Sequence, residues 1–101
     1  MAEPVDILRA KLNGETAKAS WAEMQRNHAR GVVLHVAGAL DLIEVAVAMA
    51  QDNGTAVGRW MQAGQLGKVS DEQARDWLAR DPALWSVVVA PWVLVQERAN
   101  H

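Results

Sequence analysis

Apolar side chains recur at a helical spacing in five segments of the chain, and this pattern predicts five helices. Val5, Leu8 and Leu12 form one such stripe, and Asn13–Gly14 follows it as a pair that favours the end of a helix. The predicted helices span residues 5–12, 15–30, 41–54, 55–63 and 70–80.

The predicted helix at 41–54 is apolar around most of its circumference. Leu42 and Val45 lie on one stripe, and Ile43 and Val47 lie on a second. A helix with two apolar stripes packs against other elements on two sides. We therefore expect this helix to lie at the centre of the fold.

Three further segments are short and rich in β-branched residues, which is typical of strands. They are Gly31–Ala37, Leu66–Val69 and the apolar tail ALWSVVVAPWVLVQ at Ala83–Gln96.

The tail contains Pro91, which has no backbone N–H and so cannot lie inside a fully paired central strand. We predict two strand halves, 84–89 and 92–96, joined by a kink at Ala90–Pro91. The alternative is a strand that ends at Ala90 and a terminal helix that begins at Pro91. The β-branched run after Pro91 favours the two strand halves.

Together these elements predict one α+β domain over residues 1–101, with four or five helices packed on a small, mainly antiparallel sheet. The tail strands are apolar on both faces and therefore need cover on both faces. In this prediction the helices cover one face and a second copy of the chain covers the other. We accordingly expect a homodimer whose interface uses Trp85–Gln96.

Two predicted helices begin with a residue pattern typical of a capping box. Asp41 with Glu44, and Ser70 with Gln73, each place an N-cap residue three positions before a side chain that can reach back to the N-cap N–H. On the last of these helices, two acid–base pairs also stand four residues apart, Asp71 with Arg75 and Asp76 with Arg80.

Composition narrows the classes of function. The net charge of the 101 residues is −2, which argues against nucleic-acid binding because such proteins need a basic surface. The chain has no Cys, so disulfides and thiolate chemistry are excluded. No segment approaches the roughly 20 consecutive apolar residues of a membrane span, and the start of the chain lacks the apolar run of a secretory signal. We expect a cytoplasmic protein without membrane contact.

Four segments cover nearly the whole chain and carry a family resemblance: LNGETAKASWAEMQRNHARGVV, LDLIEVAVAMAQDN, SDEQARDW and LWSVVVAPWVLVQE. On these segments the chain resembles a family of short bacterial proteins classed as a domain of unknown function. Its most distinctive parts are the DLIEVA helix start and the VAPWVLVQE ending. The resemblance implies a stand-alone bacterial domain and carries over no catalytic residue.

His35 is the ionisable residue with the most unusual position, in the middle of the strand predicted at 31–37. It could act as a general base or metal ligand oriented by Asp41 or Glu44. The alternative is a partly buried neutral imidazole. A single His without a second His or a Cys nearby lacks a metal ligand set. We therefore assign no catalytic residue, no metal and no cofactor.

The remaining candidates for binding are Trp85, Trp92 and Arg59, because Trp and Arg are the residues most enriched where proteins bind partners. Our first hypothesis is a non-enzymatic protein-interaction module that forms a homodimer. The alternative is a small-molecule-binding protein or enzyme, with a cleft near His35, Asp41, Glu44 and Arg59. The third is a nucleic-acid-binding module, which the net negative charge disfavours.

Overall fold

The computed structural model describes residues 4–98, which contain five helices and five strands. The predicted α+β class is confirmed, and so is a mainly antiparallel sheet covered by helices. In chain order the elements are α1 (Pro4–Glu15), β1 (Ala17–Ala19), α2 (Trp21–Ala29), β2 (Val33–Val36), α3 (Leu42–Ala50), α4 (Gly54–Gln62), β3 (Leu66–Lys68), α5 (Asp71–Arg80), β4 (Leu84–Val89) and β5 (Trp92–Glu97).

The five strands form one sheet in the order β1-β4-β5-β2-β3. Neighbouring strands are antiparallel except β2 and β5, which run parallel with Leu34 opposite Leu94. Both edge strands, β1 and β3, are only three residues long. The longest strands therefore lie at the centre of the sheet, where they are paired on both sides.

The two predicted strands of the tail are present, but the predicted kink between them is wrong. The chain reverses completely at Ala90–Pro91, so that Val89 pairs with Trp92 and β4 and β5 form an antiparallel hairpin. Pro91 lies in the turn of this hairpin, where its missing N–H removes no bond of the ladder. The alternative of a terminal helix beginning at Pro91 is thereby excluded.

The helix predicted over 15–30 is shorter, and a strand precedes it. Ala17–Ala19 pairs with residues 84–86 of β4, and α2 begins only after Ser20. Ser20 and Glu23 form a full capping box: Ser20 Oγ accepts from the Glu23 N–H at 3.3 Å, and the Glu23 carboxylate accepts from the Ser20 N–H at 3.2 Å. This box fixes the start of α2 and frees the preceding residues to pair with the sheet.

Side chains of the sheet alternate between two faces, each covered by different helices. On the front face, Leu34, Val36, Val87 and Leu94 pack against α1, α3 and α4. On the back face, the strand residues Val33, Leu84, Val93 and Val95 pack against Trp21 of α2 and Trp77 of α5. Helices of the chain itself thus cover both faces of the hairpin. The prediction that a second copy of the chain covers one face of the tail strands is wrong, because α2 and α5 cover that face.

The N-caps of α3 and α5 are confirmed, but their predicted return bonds are wrong. Asp41 Oδ1 accepts from the N–H groups of Ile43 and Glu44 at 2.9 and 3.4 Å. The Glu44 carboxylate turns away from the cap and pairs with Arg9. At α5, Ser70 Oγ accepts from the Gln73 N–H at 3.0 Å, whereas the Gln73 amide donates to Asp76. In each case the side chain that would complete the capping box bonds instead to a nearby charged residue, Arg9 or Asp76.

Of the two predicted acid–base pairs on α5, Asp76–Arg80 is confirmed with a shortest N–O distance of 2.6 Å. Arg80 also contacts Glu97 of β5 at 3.0 Å, so it links the helix to the sheet. Asp71 and Arg75 form no ion pair within the described part of the chain.

Candidate functional site

A groove of about 600 Å³ opens on the front face, between the C-terminal part of α1, the N-terminus of α3 and the β4–β5 hairpin. It runs into a neighbouring depression, with which it shares Asn13, Asp41 and Ile43. The groove is lined by Asn13, Thr16, Ala39, Asp41, Leu42, Ile43, Trp85 and Gln96.

Gln96 lines the groove and holds the adjacent loop in place. Its amide nitrogen donates to the carbonyl oxygens of Ala37 and Leu40 at 2.9 and 2.7 Å, which ties β5 to the loop before α3. The loop is also closed by its own bond from the Leu40 N–H to the Ala37 carbonyl at 3.0 Å. Because both hydrogens of the Gln96 amide are engaged, its carbonyl oxygen is the group that it can offer to a ligand.

Trp85 forms one wall and is half-buried. The guanidinium carbon of Arg98 lies 5.2 Å from the centre of its ring, which is the geometry of a cation–π contact. Lys18 is paired with Trp85 across β1 and β4, and directly opposed residues of an antiparallel pair point to the same face of the sheet. Two cationic residues therefore neighbour Trp85, and neither of them is among the residues that line the groove.

The neighbouring depression is acidic. Asp41 borders both it and the groove, and Asp6, Glu44 and Arg9 line the depression. Arg9 contacts Glu44 at 2.6 Å and Asp6 at 3.0 Å. The hydrogen bond from Arg9 lowers the pKa of Glu44, so this carboxylate remains charged at neutral pH. Three carboxylates against one guanidinium leave the depression negative.

The predicted cleft of His35 with Asp41 and Glu44 does not form. Leu34 and Val36 point to the front face, so His35 between them points to the back face, where its ring packs edge-on against Trp77 at 4.9 Å between centres. Asp41 borders the groove on the front face. The sequence could not separate these residues, because their faces depend on the order of the strands.

Arg59 and Trp92 also lie away from the groove. Arg59 is exposed on α4 and is not among the residues that line the groove. Trp92 is half-buried at the turn end of the hairpin, where it lines a smaller depression of about 300 Å³ with Met49 and Val57. Of the four predicted binding residues, only Trp85 borders the groove.

Asn13, Thr16 and Gln96 border the groove, and no pattern in the sequence predicts a binding role for them. The sequence predicts Asn13 only as part of a helix end, whereas α1 continues through it to Glu15. Gln96 carries a usable signal, because it is a polar residue on a strand whose other front-face residues, Trp92 and Leu94, are apolar. In residues 4–98, no group of three or more His, Asp or Glu side chains could hold a metal ion. None of the helices described is long and apolar enough to span a bilayer.

These features define an α+β domain in which helices cover both faces of a five-stranded sheet and a groove lies beside Trp85. The chain belongs to the DUF2288 family, described as a protein of unknown function, whose model matches residues 7–97. The predicted family resemblance is thus confirmed. The fold is similar to the NMR solution structure of PA1075 from Pseudomonas aeruginosa, with a TM-score of 0.82 and 55% identity over 99% of this chain and 93% of that chain. Nothing among curated proteins matches the chain.

His35 makes the stability of the fold depend on pH. Burial lowers its pKa below the ordinary value of 6.5, and the negative charge of Glu97 opposes this only in part. The unfolded chain therefore binds a proton at His35 more readily than the folded chain does. The stability contributed by neutral His35 is complete above the pKa of this residue in the unfolded chain, and it is lost as the pH falls towards its pKa in the folded chain. We expect the free energy of unfolding to decrease as the pH falls through and below about 6.5, the ordinary pKa of a His side chain.

The measurement is urea unfolding at several pH values, compared with the His35→Gln variant. Gln cannot take up a proton in this range, so the variant should show a smaller decrease than the parent chain. His28 and His101 are present in both proteins, so the comparison removes their contribution. Equal decreases in the two proteins would show that His35 is not the group responsible.

Proposed function

We propose that this chain is a binding protein that holds a small organic molecule in the groove beside Trp85. The observation that carries the proposal is the convergence of an aromatic wall with preset polar groups in one concave site. Such a combination, apolar and aromatic surface with a few fixed polar groups, is typical of ligand pockets. The volume of about 600 Å³ lies within the usual range for them.

The polar groups of the groove are held in place before any ligand arrives. Gln96 is fixed by two bonds to the loop before α3, and Asp41 is fixed by two bonds from the first turn of α3. Thr16 is fixed by a bond of 2.9 Å to the carbonyl of Leu12. A site whose side chains are already ordered loses little conformational freedom on binding, and this favours affinity.

The test is a fragment screen followed by NMR of the tryptophan indole N–H signals, which report each ring separately. We expect bound fragments to shift the Trp85 signal and the backbone signals of Asn13, Asp41 and Gln96. In Trp85→Ala, affinity for these fragments should fall by about tenfold or more, because one wall of the groove is lost.

Trp92→Ala is the matched control, since Trp92 is also half-buried and lies at the other end of the same hairpin. It should leave fragment affinity unchanged. A screen without any fragment that shifts Trp85, or equal losses in the two variants, would contradict the proposal.

A second candidate function is self-association through the edge of β4, and one observation favours it. β1 pairs only with residues 84–86, so within residues 4–98 the turn-side half of β4 has no neighbouring strand on that side. The Arg98 N–H donates to the Ala83 carbonyl. Backbone groups of successive residues in an antiparallel strand point alternately to opposite sides, so Ala83 and every second residue after it direct their N–H and C=O groups to the β5 side. The N–H and C=O of Val88 consequently point to the open edge, and its apolar side chain is 57% exposed.

An exposed apolar strand edge is a ready template for pairing with another chain. Sedimentation equilibrium at micromolar concentration should then show a dimer. Val88→Lys should abolish it, because a charged side chain blocks edge pairing. Leu78→Lys is the control at another exposed apolar position, on α5. A monomer at every concentration, or equal effects of the two substitutions, would exclude this second function.

A further inference from the structure

We infer that the groove takes a cationic molecule whose polar group only donates hydrogen bonds, an ammonium or amidinium group attached to an apolar ring or chain. This inference rests on the proposed function, because it assigns a ligand class to the same groove. It is carried by the hydrogen bonding of the side chains that line the groove. Most of their donors are used in bonds within the protein, while their acceptors remain open.

Gln96 presents an acceptor to the groove. Its amide nitrogen faces the carbonyl oxygens of Ala37 and Leu40, and because carbonyl oxygens only accept, both amide hydrogens are used there. Within residues 4–98, the buried side-chain atoms without a partner are Trp77 Nε1 and Arg98 Nε. The carbonyl oxygen of Gln96, which accepts no bond from these residues, is therefore accessible to a ligand.

Thr16 also meets a ligand as an acceptor. Its hydroxyl group donates its single hydrogen to the Leu12 carbonyl at 2.9 Å. The hydroxyl oxygen keeps lone pairs that can accept. A ligand that donates to Thr16 leaves the bond to Leu12 intact, whereas a ligand that accepts from Thr16 would have to break it.

Asp41 supplies the charge, because it is the one ionisable residue in the lining of the groove. An ionised carboxylate only accepts, and Oδ1 already takes both cap bonds, so Oδ2 is left for a ligand. Arg9 does not pair with this carboxylate. Its Nε and Nη2 bond to Glu44, and its Nη1 bonds to Asp6. Asp41 is thus an anionic acceptor without an ion-pair partner in the described part of the chain.

The side chains of the lining therefore favour a ligand that donates. Gln96, Thr16 and Asp41 offer acceptors, whereas open donors come from the Asn13 amide and the Trp85 indole. A carboxylate or phosphate has only acceptors, so it would leave those three oxygens unpaired and would be repelled by Asp41. An ammonium or amidinium group has several hydrogens to donate and the opposite charge.

The rest of the ligand is expected to be apolar. Leu42, Ile43 and Trp85 line the same groove as the polar groups. Contact with such side chains removes apolar surface of the ligand from water, which favours binding. A ring or alkyl chain that carries the cationic group would supply this surface.

The first experiment compares three probes of the same planar shape: benzamidinium, benzamide and benzoate. The polar group of the first only donates, that of the second donates and accepts, and that of the third only accepts. Affinity is measured from the shift of the Trp85 indole signal. We expect benzamidinium to bind at least about tenfold more tightly than benzamide, and benzoate to bind most weakly.

A second pair of probes separates hydrogen bonding from charge. Benzylammonium and benzyltrimethylammonium each carry one positive charge, but only benzylammonium can donate. The groove of about 600 Å³ has room for the methyl groups. We expect benzylammonium to bind about tenfold more tightly. Equal affinities would exclude the requirement for a donor.

Asp41→Asn reverses one acceptor and keeps the N-cap of α3, because Asn caps helices as well as Asp. Its carbonyl oxygen takes the place of Oδ1, so its NH₂ group takes the place of Oδ2. Benzamidinium should bind about tenfold more weakly to this variant, and benzoate should bind more tightly. Asp71→Asn, at an exposed position in the first turn of α5, makes the same charge change and should alter neither affinity.

The outcomes separate this inference from the proposed function. If screened fragments shift Trp85 but benzamidinium binds no better than benzoate, the ligand class is excluded and the groove remains a binding site. Equal losses of benzamidinium affinity in Asp41→Asn and Asp71→Asn would exclude Asp41 as the group that selects the cation. If neither probes nor fragments shift Trp85, the proposed function itself is excluded, and the inference with it.

Discussion

Replacement of Trp77 by Ala is expected to lower the free energy of unfolding by about 3–5 kcal/mol. The side chain is 0% exposed and is the largest of the fully buried ones in the described part of the chain. It contacts Trp21 at 5.3 Å and His35 at 4.9 Å between ring centres, so its removal leaves a cavity between α2, α5 and the sheet. Denaturant unfolding followed by far-UV circular dichroism measures the loss.

Two further variants give this prediction its controls. Leu78→Ala changes the next residue of the same helix, but Leu78 is 61% exposed, and we expect a change within about 0.5 kcal/mol. Trp77→Phe should cost much less than Trp77→Ala, because the indole N–H of Trp77 has no acceptor among residues 4–98 and its loss breaks no bond. A small effect of Trp77→Ala would contradict this prediction and would show that neighbouring side chains of the back-face core fill the cavity.

Replacement of Leu94 by Ala is expected to lower the free energy of unfolding by about 2–5 kcal/mol. Leu94 is 0% exposed and lies on β5, between Leu34 of β2 and Val87 of β4. All three residues belong to the front-face core, and deletion of the central one removes contacts on both sides. Unfolding in urea gives the value, with an unchanged m-value as the sign that the folded state keeps its compactness.

Val88→Ala is the matched control, because Val88 lies on the adjacent strand but is 57% exposed. Its substitution should stay within about 0.5 kcal/mol. Similar losses for Leu94→Ala and Val88→Ala would contradict the burial pattern described for the hairpin.

The helices could be predicted well because the spacing of apolar residues on a helix reflects local geometry. The stripe of Val5, Leu8 and Leu12 is now part of the front-face core or packs against it. The exception is the region before α2, where the apolar spacing predicts a helix and the structure contains the strand β1. The Ser20–Glu23 pattern marks the true start of α2, and it outweighs the spacing because it satisfies backbone N–H groups directly.

The arrangement of the strands could not be predicted, because it depends on contacts between distant parts of the chain. The β-branched runs identified β4 and β5, but a hairpin turn and a kink give the same local pattern around Pro91. The parallel pairing of β2 with β5 joins residues about 60 positions apart, such as Val33 and Val93. No local preference of either segment indicates such a partner.

The groove was missed for the same reason. Its residues come from α1, the loop before α3, β4 and β5, and only the strand order brings them together. Trp85 was predicted because of its chemistry alone. His35 was grouped with Asp41 because the two are near in sequence, but alternation along β2 sends its ring to the opposite face.

The central place of β5 in the sheet has a consequence for the order in which the fold can form. β5 pairs with both β4 and β2, so it is the strand that joins the β1–β4 pair to the β2–β3 pair. Without β5, the other four strands form two separate pieces of sheet without a common centre. The sheet can therefore be completed only when β5 docks beside β2, and a contact between such distant parts of the chain makes folding slow.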